Sequence, residues 1–192
     1  MPEQIEIEFK NLLSENEYHE LFNAFKMEEI APIVQENIYL DTPDFQLKKH
    51  HAALRVRVKA NNNGEITLKT PLPQGLLETN IPLTPSEVIS FMETHVLPIK
   101  DELETKLTAL DISQPDVHVF ASLKTKRLEK KLSSDILLVL DESWYHGQHD
   151  YELEVEASSY DSGKQFFESL LQNHHIQTRP TPNKIQRAMN AT

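Results

Sequence analysis

Alternation of charged and apolar side chains is the feature that most restricts how this chain can fold. In residues 54–59, LRVRVK, Arg55 and Arg57 would share one face of an extended segment, and Leu54 and Val56 would share the other. The same period of two recurs in further segments, at residues 6–10, 66–69, 76–80, 137–141 and 151–156. A period of two is typical of a β-strand, so the sequence predicts a sheet with one charged face and one apolar face.

Turn signals indicate that these strands pair antiparallel. The segment NNNGE, residues 61–65, separates two alternating runs, and Asn-Gly between such runs is a strong hairpin signal. About eight strands are expected, and the sequence locates the following: 6–10, 54–60, 65–70, 76–83, 116–132, 136–144 and 151–158.

Helices are predicted between the strands from their capping residues. Ser14 with Glu17 three residues later forms a capping box, and Thr84 followed by Pro85 is a typical helix start. Further helices are expected at residues 100–110, at 162–174 and from Thr181 onward. Strands and helices together predict an α+β fold, organised as a single domain over residues 1–192.

Composition excludes several functional classes. The chain has 192 residues, no cysteine and a net charge of −11, from 30 acidic and 19 basic side chains. Disulfide and thiolate chemistry are therefore excluded, and the negative charge disfavours binding to nucleic acid. No apolar run reaches the roughly 18 residues that a membrane span needs, and the first residues lack a secretory signal. A cytoplasmic protein with no membrane partner is therefore expected.

The charges of the predicted strands are sorted by sign. Acids predominate on the predicted strands 6–10, 136–144 and 151–158, whereas arginine and lysine lie on 54–60 and 65–70. For any one strand, a charged face exposed to solvent is the usual explanation. The sorting favours another arrangement, a closed antiparallel β-barrel with helices packed outside against its apolar face and with charges lining a polar lumen. Buried charges need partners, and these would be a polyanion held by arginine and lysine and a divalent metal held by carboxylates.

Glu6-x-Glu8-x-Lys10 near the amino terminus resembles the signature of the CYTH domain, the triphosphate tunnel metalloenzyme superfamily. Matches of the same kind continue along nearly the whole chain: Arg55, Arg57, Lys69, Glu78, Arg127, Asp141, Glu152, Glu154 and Lys184. The resemblance, to a stand-alone bacterial member, implies an eight-stranded closed antiparallel tunnel that binds triphosphate compounds with a divalent metal. It also implies a hydrolase of inorganic tripolyphosphate or of a nucleoside or other organic triphosphate.

The resemblance assigns roles to individual residues. Phosphate would be bound by cations, namely Lys10, Arg55, Arg57, Lys69, Arg127 and Lys184. Mg²⁺ or Mn²⁺ would be held by acids, namely Glu6, Glu8, Glu152, Glu154, Glu78 and Asp141. Catalysis would involve Lys69 and a carboxylate, Glu8 or Glu154, that orients the attacking water. Thr125 and Asn80 depart from the family pattern, because some relatives carry a basic residue and a carboxylate there.

Two other functions fit the same residues. One is an adenylyl cyclase of the class IV type within the superfamily, and the other is a non-catalytic sensor that binds polyphosphate or a nucleotide. The basic run at 123–131 and the Trp144–Tyr145 pair are compatible with contacts to RNA or to a base, although a solvated strand end and a hydrophobic plug explain them at least as well. The expected partner is a small-molecule triphosphate, and the oligomeric state stays open, with a homodimer as one option.

Overall fold

The computed structural model describes residues 3–98, 100–113 and 116–190, apart from the side chain of Asn61. Nine strands lie in these residues: β1 (Glu3–Glu6), β2 (Glu8–Leu13), β3 (Ile33–Asp41), β4 (Ala53–Lys59), β5 (Gly64–Pro71), β6 (Leu76–Leu83), β7 (His118–Lys131), β8 (Ile136–Tyr145) and β9 (Gln148–Ala157). The same residues contain these α-helices: α1 (Glu15–Ala24), α2 (Gln46–Lys49), α3 (Pro85–Thr94), α4 (Asp101–Thr108), α5 (Tyr160–Asn173) and α6 (Lys184–Asn190). Short 3₁₀ helices lie at Met27–Glu29 and Ala60–Asn62. Among the described helices, none has the length and apolar character to span a membrane.

The chain forms two compact units, each built from two separate segments of the sequence. The first unit comprises Met1–Ile5 and Gln35–Leu123, and the second comprises Glu6–Val34 and Lys124–Thr192. The strand β7 therefore contributes its first residues to one unit and its last residues to the other. The single domain expected over residues 1–192 stays a prediction.

In the first unit, strands β3, β4, β5 and β6 pair antiparallel in consecutive order. Leu54 and Ile66 lie in one core with Phe91 of α3 and Leu103 of α4, and all four side chains are inaccessible to solvent. Burying a side chain of this kind stabilises the fold by about 1.5–3 kcal/mol. The helices thus cover the apolar face of this sheet, and the charged residues that alternate with the core residues lie on its other face.

In the second unit, the sheet order is β7, β8, β9 and β2, and each neighbouring pair is antiparallel. Leu140 and Leu153 are fully buried and share a core with Leu21 of α1. Gly163 allows α5 to approach the same face closely, because a Cβ at this position would lie 2.5 Å from the Cβ of Ala157. Helices α1 and α5 therefore cover the apolar face of this sheet.

The predicted fold class is confirmed, since the fold is α+β, the strand pairs described above are antiparallel, and helices pack on the apolar faces. The described residues contain nine strands and not the expected eight. Both predicted helix starts are present. The Ser14 hydroxyl accepts a hydrogen bond from the backbone N–H of Glu17, and the Thr84 hydroxyl accepts one from the backbone N–H of Glu87.

The predicted strand at residues 6–10 is wrong as a single element. The chain leaves β1 at Glu6 and enters β2 at Glu8, and the two strands have different neighbours, β6 for β1 and β9 for β2. Ile7 lies at this change of neighbour, and its carbonyl accepts a hydrogen bond from the backbone N–H of Ala157 at 2.9 Å. Glu6 and Glu8 consequently belong to different strands.

The helix predicted from Thr181 begins later, at Lys184. The Thr181 hydroxyl does not cap it, because this oxygen accepts a hydrogen bond from the backbone N–H of Leu12 at 2.9 Å. The side chain of Asn183 takes the capping role, with its Oδ1 accepting from the backbone N–H of Gln186 at 3.0 Å.

Candidate active site

The charged face of the second unit lies opposite its apolar core. Cross-strand register places Arg127 of β7 beside Asp141 of β8, and Asp141 beside Glu152 of β9. On the other side of β9, Glu154 is opposite Lys10 of β2. Facing neighbours on one side of a sheet have Cβ atoms about 4.5–5.5 Å apart, so these side chains can interact directly.

Arg127 is bound by two carboxylates. Its Nε donates to Oδ1 of Asp141 at 2.9 Å, and its Nη2 donates to Oδ2 of Asp141 at 2.7 Å and to Oε2 of Glu154 at 2.6 Å. The side chain of Arg127 is 9% exposed, and that of Asp141 is fully buried. This fork geometry is the one arginine uses for planar oxygen acceptors, whether they belong to a carboxylate or to a phosphate.

Helix α6 brings a second cation, Lys184, to the same carboxylates. Its Nζ lies 2.9 Å from Oδ2 of Asp141 and 3.2 Å from Oε2 of Glu152, and it also donates to Oε1 of Glu154. We call Arg127, Asp141, Glu152, Glu154 and Lys184 the charged cluster. The cations of the cluster, Arg127 and Lys184, are thus bound by the same carboxylates that the resemblance assigns to metal binding.

Opposite charges within the cluster determine its protonation. Burial alone would lower the pKa of Lys184, but Asp141 and the two glutamates outweigh burial and raise this pKa well above its usual value. Burial would raise the pKa of Glu154, but Arg127 and Lys184 hold it well below its usual value. For Glu152, burial prevails over the attraction of Lys184, and its pKa is raised. Glu154 and Lys184 are therefore held in their charged forms in a buried environment, where electrostatic interactions are strong, whereas burial opposes the charge of Glu152.

Further glutamates add negative charge beside the cluster. Nζ of Lys10 lies 2.9 Å from Oε1 of Glu8, and Glu8 is the register partner of Glu156. Burial raises the pKa of Glu156 to about 7, and the nearby charges of Glu154, Glu6 and Glu8 add to the effect. Burial and repulsion between neighbouring carboxylates therefore favour the neutral form of Glu156.

The shifted pKa of Glu156 should make stability depend on pH. Its pKa is about 7 in the fold against 4.5 for an ordinary glutamate, so the stabilising contribution of its neutral form is complete below pH 4.5 and is lost as the pH rises through 7. Glu156→Gln should therefore match the wild type near pH 4.5 and exceed it at pH 8 by roughly 1–3 kcal/mol. Urea denaturation with a metal chelator at both pH values measures this, with Glu168→Gln as the exposed control. Equal effects of Glu156→Gln at both pH values would contradict it.

The basic residues of the first unit lie in a polar network within that unit. Nζ of Lys69 lies 2.6 Å from Oε1 of Glu78, whose side chain is 7% exposed. Nε of Arg57 donates to Oδ1 of Asn37 at 3.1 Å, and its Nη1 makes a longer contact of 3.4 Å to Oε1 of Glu65. The register supports both contacts, since Lys69 faces Glu78 and Arg57 faces Asn37 across neighbouring strands.

Arg55 lies between these groups and is weakly engaged by the described residues. Its Nη2 donates to Oγ1 of Thr67 at 3.3 Å, whereas its buried Nε makes no hydrogen bond within the described part of the chain. Burial would raise the pKa of Glu78, but Lys69 and Arg55 hold it below its usual value. Donor groups of arginine are therefore available on this face for an added acceptor.

A comparison with known protein families decides the classification of the chain. The model of the CYTH domain matches residues 4–189. The chain belongs to the CYTH domain family. The recognition made from Glu6-x-Glu8-x-Lys10 and from the order of charges along the chain is confirmed, and the matched range contains every residue to which the resemblance assigned a role.

Relatives of this CYTH chain cover it almost completely. YjbK of Bacillus subtilis, which is provisionally named a triphosphatase, is 41% identical over 97% of this chain and 95% of its own length. A solved structure from Bacillus halodurans, provisionally called an adenylate cyclase, is 37% identical with a TM-score of 0.89, covering 97% of this chain and 98% of that one. HpAC1 from Hippeastrum, described as having a dominant triphosphatase activity, shares the fold at 20% identity, with a TM-score of 0.77 over 99% of this chain and 96% of its own.

The acids of this CYTH domain have the chemistry that a divalent metal requires, although they do not form a ready metal centre. Mg²⁺ and Mn²⁺ prefer carboxylate oxygens, and Oε1 of Glu152 is buried with no hydrogen-bond partner among the described residues. In the described part of the chain, no three histidine, aspartate or glutamate side chains are arranged to hold a metal ion. The cluster carboxylates bind Arg127 and Lys184 instead, so metal binding would require these cations to release oxygen atoms.

Three residues next to the cluster were not assigned to the site from the sequence: Arg187, Asp150 and Tyr145. Arg187 binds Glu152, and its Nε lies 3.0 Å from Oδ2 of Asp150. The Tyr145 hydroxyl donates to the same Oδ2 at 2.5 Å. One signal was present, because Arg187 follows Lys184 by three residues and such a spacing places both on one side of a helix.

Proposed function

We propose that this protein hydrolyses a triphosphate-containing small molecule, either inorganic tripolyphosphate or a nucleoside or other organic triphosphate, with the help of Mg²⁺ or Mn²⁺. The observation that carries the proposal is the charged cluster, in which carboxylates hold Arg127 and Lys184 in a buried environment. The relationship to YjbK, at 41% identity, supports a triphosphatase among the activities of the family.

Phosphate binding is assigned to the cations that the resemblance identifies, namely Lys10, Arg55, Arg57, Lys69, Arg127 and Lys184. In the second unit, the N–H groups of Arg127 and Lys184 are directed at carboxylate oxygens, and phosphate oxygens are acceptors of the same kind. Positive charge fixed in this way neutralises the phosphoryl oxygens and thereby lowers the barrier to attack by water. Lys69 is assigned the same role at the reacting phosphate.

Metal binding is assigned to the acids Glu6, Glu8, Glu152, Glu154, Glu78 and Asp141. A divalent metal held by these residues would supply Lewis-acid chemistry, stabilising the negative charge of the triphosphate and lowering the pKa of water. Of the carboxylates proposed to orient this water, Glu8 is better suited than Glu154. Both oxygens of Glu154 are bound, one to Arg127 and the other to Lys184, whereas Glu8 is 16% exposed and pairs with Lys10.

The proposed step is a simple displacement at phosphorus. The water oxygen forms a bond to the terminal phosphorus, and the bridging P–O bond breaks, with its electron pair leaving on the pyrophosphate or diphosphate product. The carboxylate takes the proton that the water loses. Colorimetric phosphate release from tripolyphosphate, ATP and other triphosphates, with Mg²⁺ or Mn²⁺ and with a chelator as control, tests the proposal. Binding of these compounds without phosphate release would contradict it and support a sensor.

An adenylyl cyclase is the second candidate, favoured by the name given to the Bacillus halodurans structure that is 37% identical to this chain. In that reaction the ribose 3′-hydroxyl attacks the α-phosphorus of ATP and releases pyrophosphate. The same cations would serve, since both reactions use a bound triphosphate. Formation of cyclic AMP and pyrophosphate from ATP, without release of orthophosphate, would establish the cyclase in place of the hydrolase.

Arg57→Ala should weaken tripolyphosphate binding at least tenfold. A charge-assisted contact to phosphate contributes roughly 1.5–3 kcal/mol, and alanine at position 57 would remove it. Calorimetric titration with tripolyphosphate in the presence of a chelator measures the change. Lys59→Ala, at a side chain that is 40% exposed and 3.8 Å from Glu65, is the control and should bind as the wild type does. Wild-type affinity in Arg57→Ala would remove this residue from the site.

A further inference from the structure

The second cation of α6, Arg187, connects three points of the second unit. Its Nη2 donates to Oε2 of Glu152, its Nε lies 3.0 Å from Oδ2 of Asp150, and its Nη1 donates to the carbonyl oxygen of Pro182 at 2.7 Å. Asp150 and Glu152 are two residues apart on β9 and therefore point to the same face of the sheet. One planar side chain thus joins this face to the start of the helix that carries Lys184.

Asp150, which forms an ion pair with Arg187, also has a hydrogen-bond partner of its own. The Tyr145 hydroxyl donates to Oδ2 of Asp150 at 2.5 Å. Burial and this hydrogen bond raise the pKa of Tyr145 to about 12, so the hydroxyl keeps its proton and remains a donor. Arg187 is therefore held by a carboxylate that has its own partner.

Glu152 is left with one engaged oxygen and one without a partner. Oε2 is bound by Arg187 and lies 3.2 Å from Nζ of Lys184, whereas Oε1 is buried with no hydrogen bond to any described residue. The side chain of Glu152 is only 1% exposed. A buried oxygen without a partner is unfavourable unless a ligand supplies one.

We propose that Arg187 is a positioning residue, which holds Glu152 through Oε2 so that Oε1 stays available to a divalent cation. This inference rests on the proposed function. The guanidinium of Arg187 is planar and is anchored at a second point, the carbonyl oxygen of Pro182, so the N–H group that it directs at Oε2 has a fixed direction, which the freely rotating ammonium group of Lys184 does not provide. Groups that orient a metal-binding carboxylate in this way typically change metal affinity or activity by about 10–100-fold when they are removed.

A purely structural role for Arg187 can be separated from positioning because the chain offers a matched arginine. Arg179 also anchors the carboxyl-terminal segment, with its Nη1 donating to Oε2 of Glu17 at 2.7 Å and its Nη2 donating to Oε1 at 3.0 Å. Its Nη1 also donates to the carbonyl oxygen of Leu12 at 3.0 Å. None of these contacts involves the charged cluster, so loss of Arg179 affects anchoring alone.

The test compares wild type, Arg187→Met, Arg187→Lys and Arg179→Met. Mn²⁺ affinity is measured directly by electron paramagnetic resonance titration, and kcat and KM for tripolyphosphate are measured at saturating Mn²⁺. Arg187→Met should weaken Mn²⁺ binding by about 10–100-fold and lower kcat more than it changes KM. Arg187→Lys should recover part of the loss because it keeps the charge, and Arg179→Met should bind Mn²⁺ as the wild type does.

Wild-type Mn²⁺ affinity in Arg187→Met, or an equal loss in Arg179→Met, would overturn the inference while leaving the proposed function intact. If Arg187→Met does not fold, Arg187→Lys decides alone, with a severalfold loss of Mn²⁺ affinity supporting positioning and unchanged affinity overturning it. A wild-type protein that binds neither Mn²⁺ nor tripolyphosphate would overturn both the inference and the function on which it rests.

Discussion

Replacing Arg127 with methionine should lower the free energy of unfolding by about 3–5 kcal/mol, the usual cost of removing one partner from a buried ion pair. The side chains left behind, Asp141 and Glu154, are 0% and 6% exposed and would lose three hydrogen bonds. Lys184 would remain as their cation, but its single ammonium group cannot replace the fork of an arginine. Urea denaturation at pH 7 with a metal chelator measures the effect.

Two further variants make this result specific. Lys164→Met breaks an exposed pair, in which Nζ lies 3.9 Å from Oε1 of Glu168, and should change the free energy of unfolding by less than about 1 kcal/mol. Combining Arg127→Met with Asp141→Leu should recover part of the loss, since it removes the carboxylate that has lost its cation. A loss in Arg127→Met as small as that in Lys164→Met would show that solvent screens the cluster.

The recovery of stability expected from Asp141→Leu in the Arg127→Met variant raises the question of why the cluster is charged. Apolar residues of similar volume often stabilise a protein as well as a buried ion pair does, because burial of each ion carries a large desolvation cost. Stability alone therefore does not explain charges at Arg127, Asp141, Glu152, Glu154 and Lys184. A ligand that carries charges of its own, such as the proposed triphosphate with its metal, would explain them.

The sequence predicted the strands where alternation is strict. Residues 76–83 have the bounds that the pattern indicates, and Leu54 and Val56 are buried while Arg55 and Arg57 lie on the other face. The strand β3 was not located, because Ile38, Tyr39 and Leu40 are all buried and the pattern there does not alternate. Periodicity identifies a strand only when one face is more exposed than the other.

The local sequence pattern did not predict where a strand changes its pairing partner, or that a helix-capping hydroxyl is bound elsewhere. The segment at 6–10 alternates throughout, yet the chain changes from β6 to β9 as neighbour at Ile7. Thr181 has the sequence context of a helix cap, but its hydroxyl accepts from Leu12, a residue far away in the sequence. Both outcomes depend on tertiary contacts, which a window of a few residues does not contain.

For the residues assigned to the candidate site, the alternation indicated which side chains share a face of the sheet, but not which of them are in contact. The register places Arg127, Asp141 and Glu152 side by side as the alternation requires. The contact of Arg187 with Glu152 was not predicted, because it depends on how α6 packs on the sheet. Helix packing on a charged surface leaves no apolar periodicity in the sequence that would indicate it.

Replacing Glu8 with glutamine should reduce metal-dependent turnover of tripolyphosphate by about 10²–10⁴-fold, the range that a positioned general base contributes. The amide has nearly the same size as the carboxylate but lacks the charge that would bind metal and accept a proton from water. The Glu8 side chain is 16% exposed and pairs with Lys10, which is itself 25% exposed, so the free energy of unfolding should change by less than about 1 kcal/mol. Steady-state phosphate release at saturating Mn²⁺ and urea denaturation measure the two quantities.

Glu129→Gln is the matched control, because Glu129 is 36% exposed and its Oε1 lies 3.7 Å from Nη1 of Arg127. Its turnover should stay within a factor of about two of the wild type, the change expected from a small loss of surface charge. Near-normal turnover in Glu8→Gln together with inactive but folded Glu154→Gln would transfer the water-orienting role to Glu154. Near-normal turnover in both would mean that neither carboxylate takes the proton. The general-base step of the proposed mechanism would then be wrong, whereas phosphate binding by the cations could still hold.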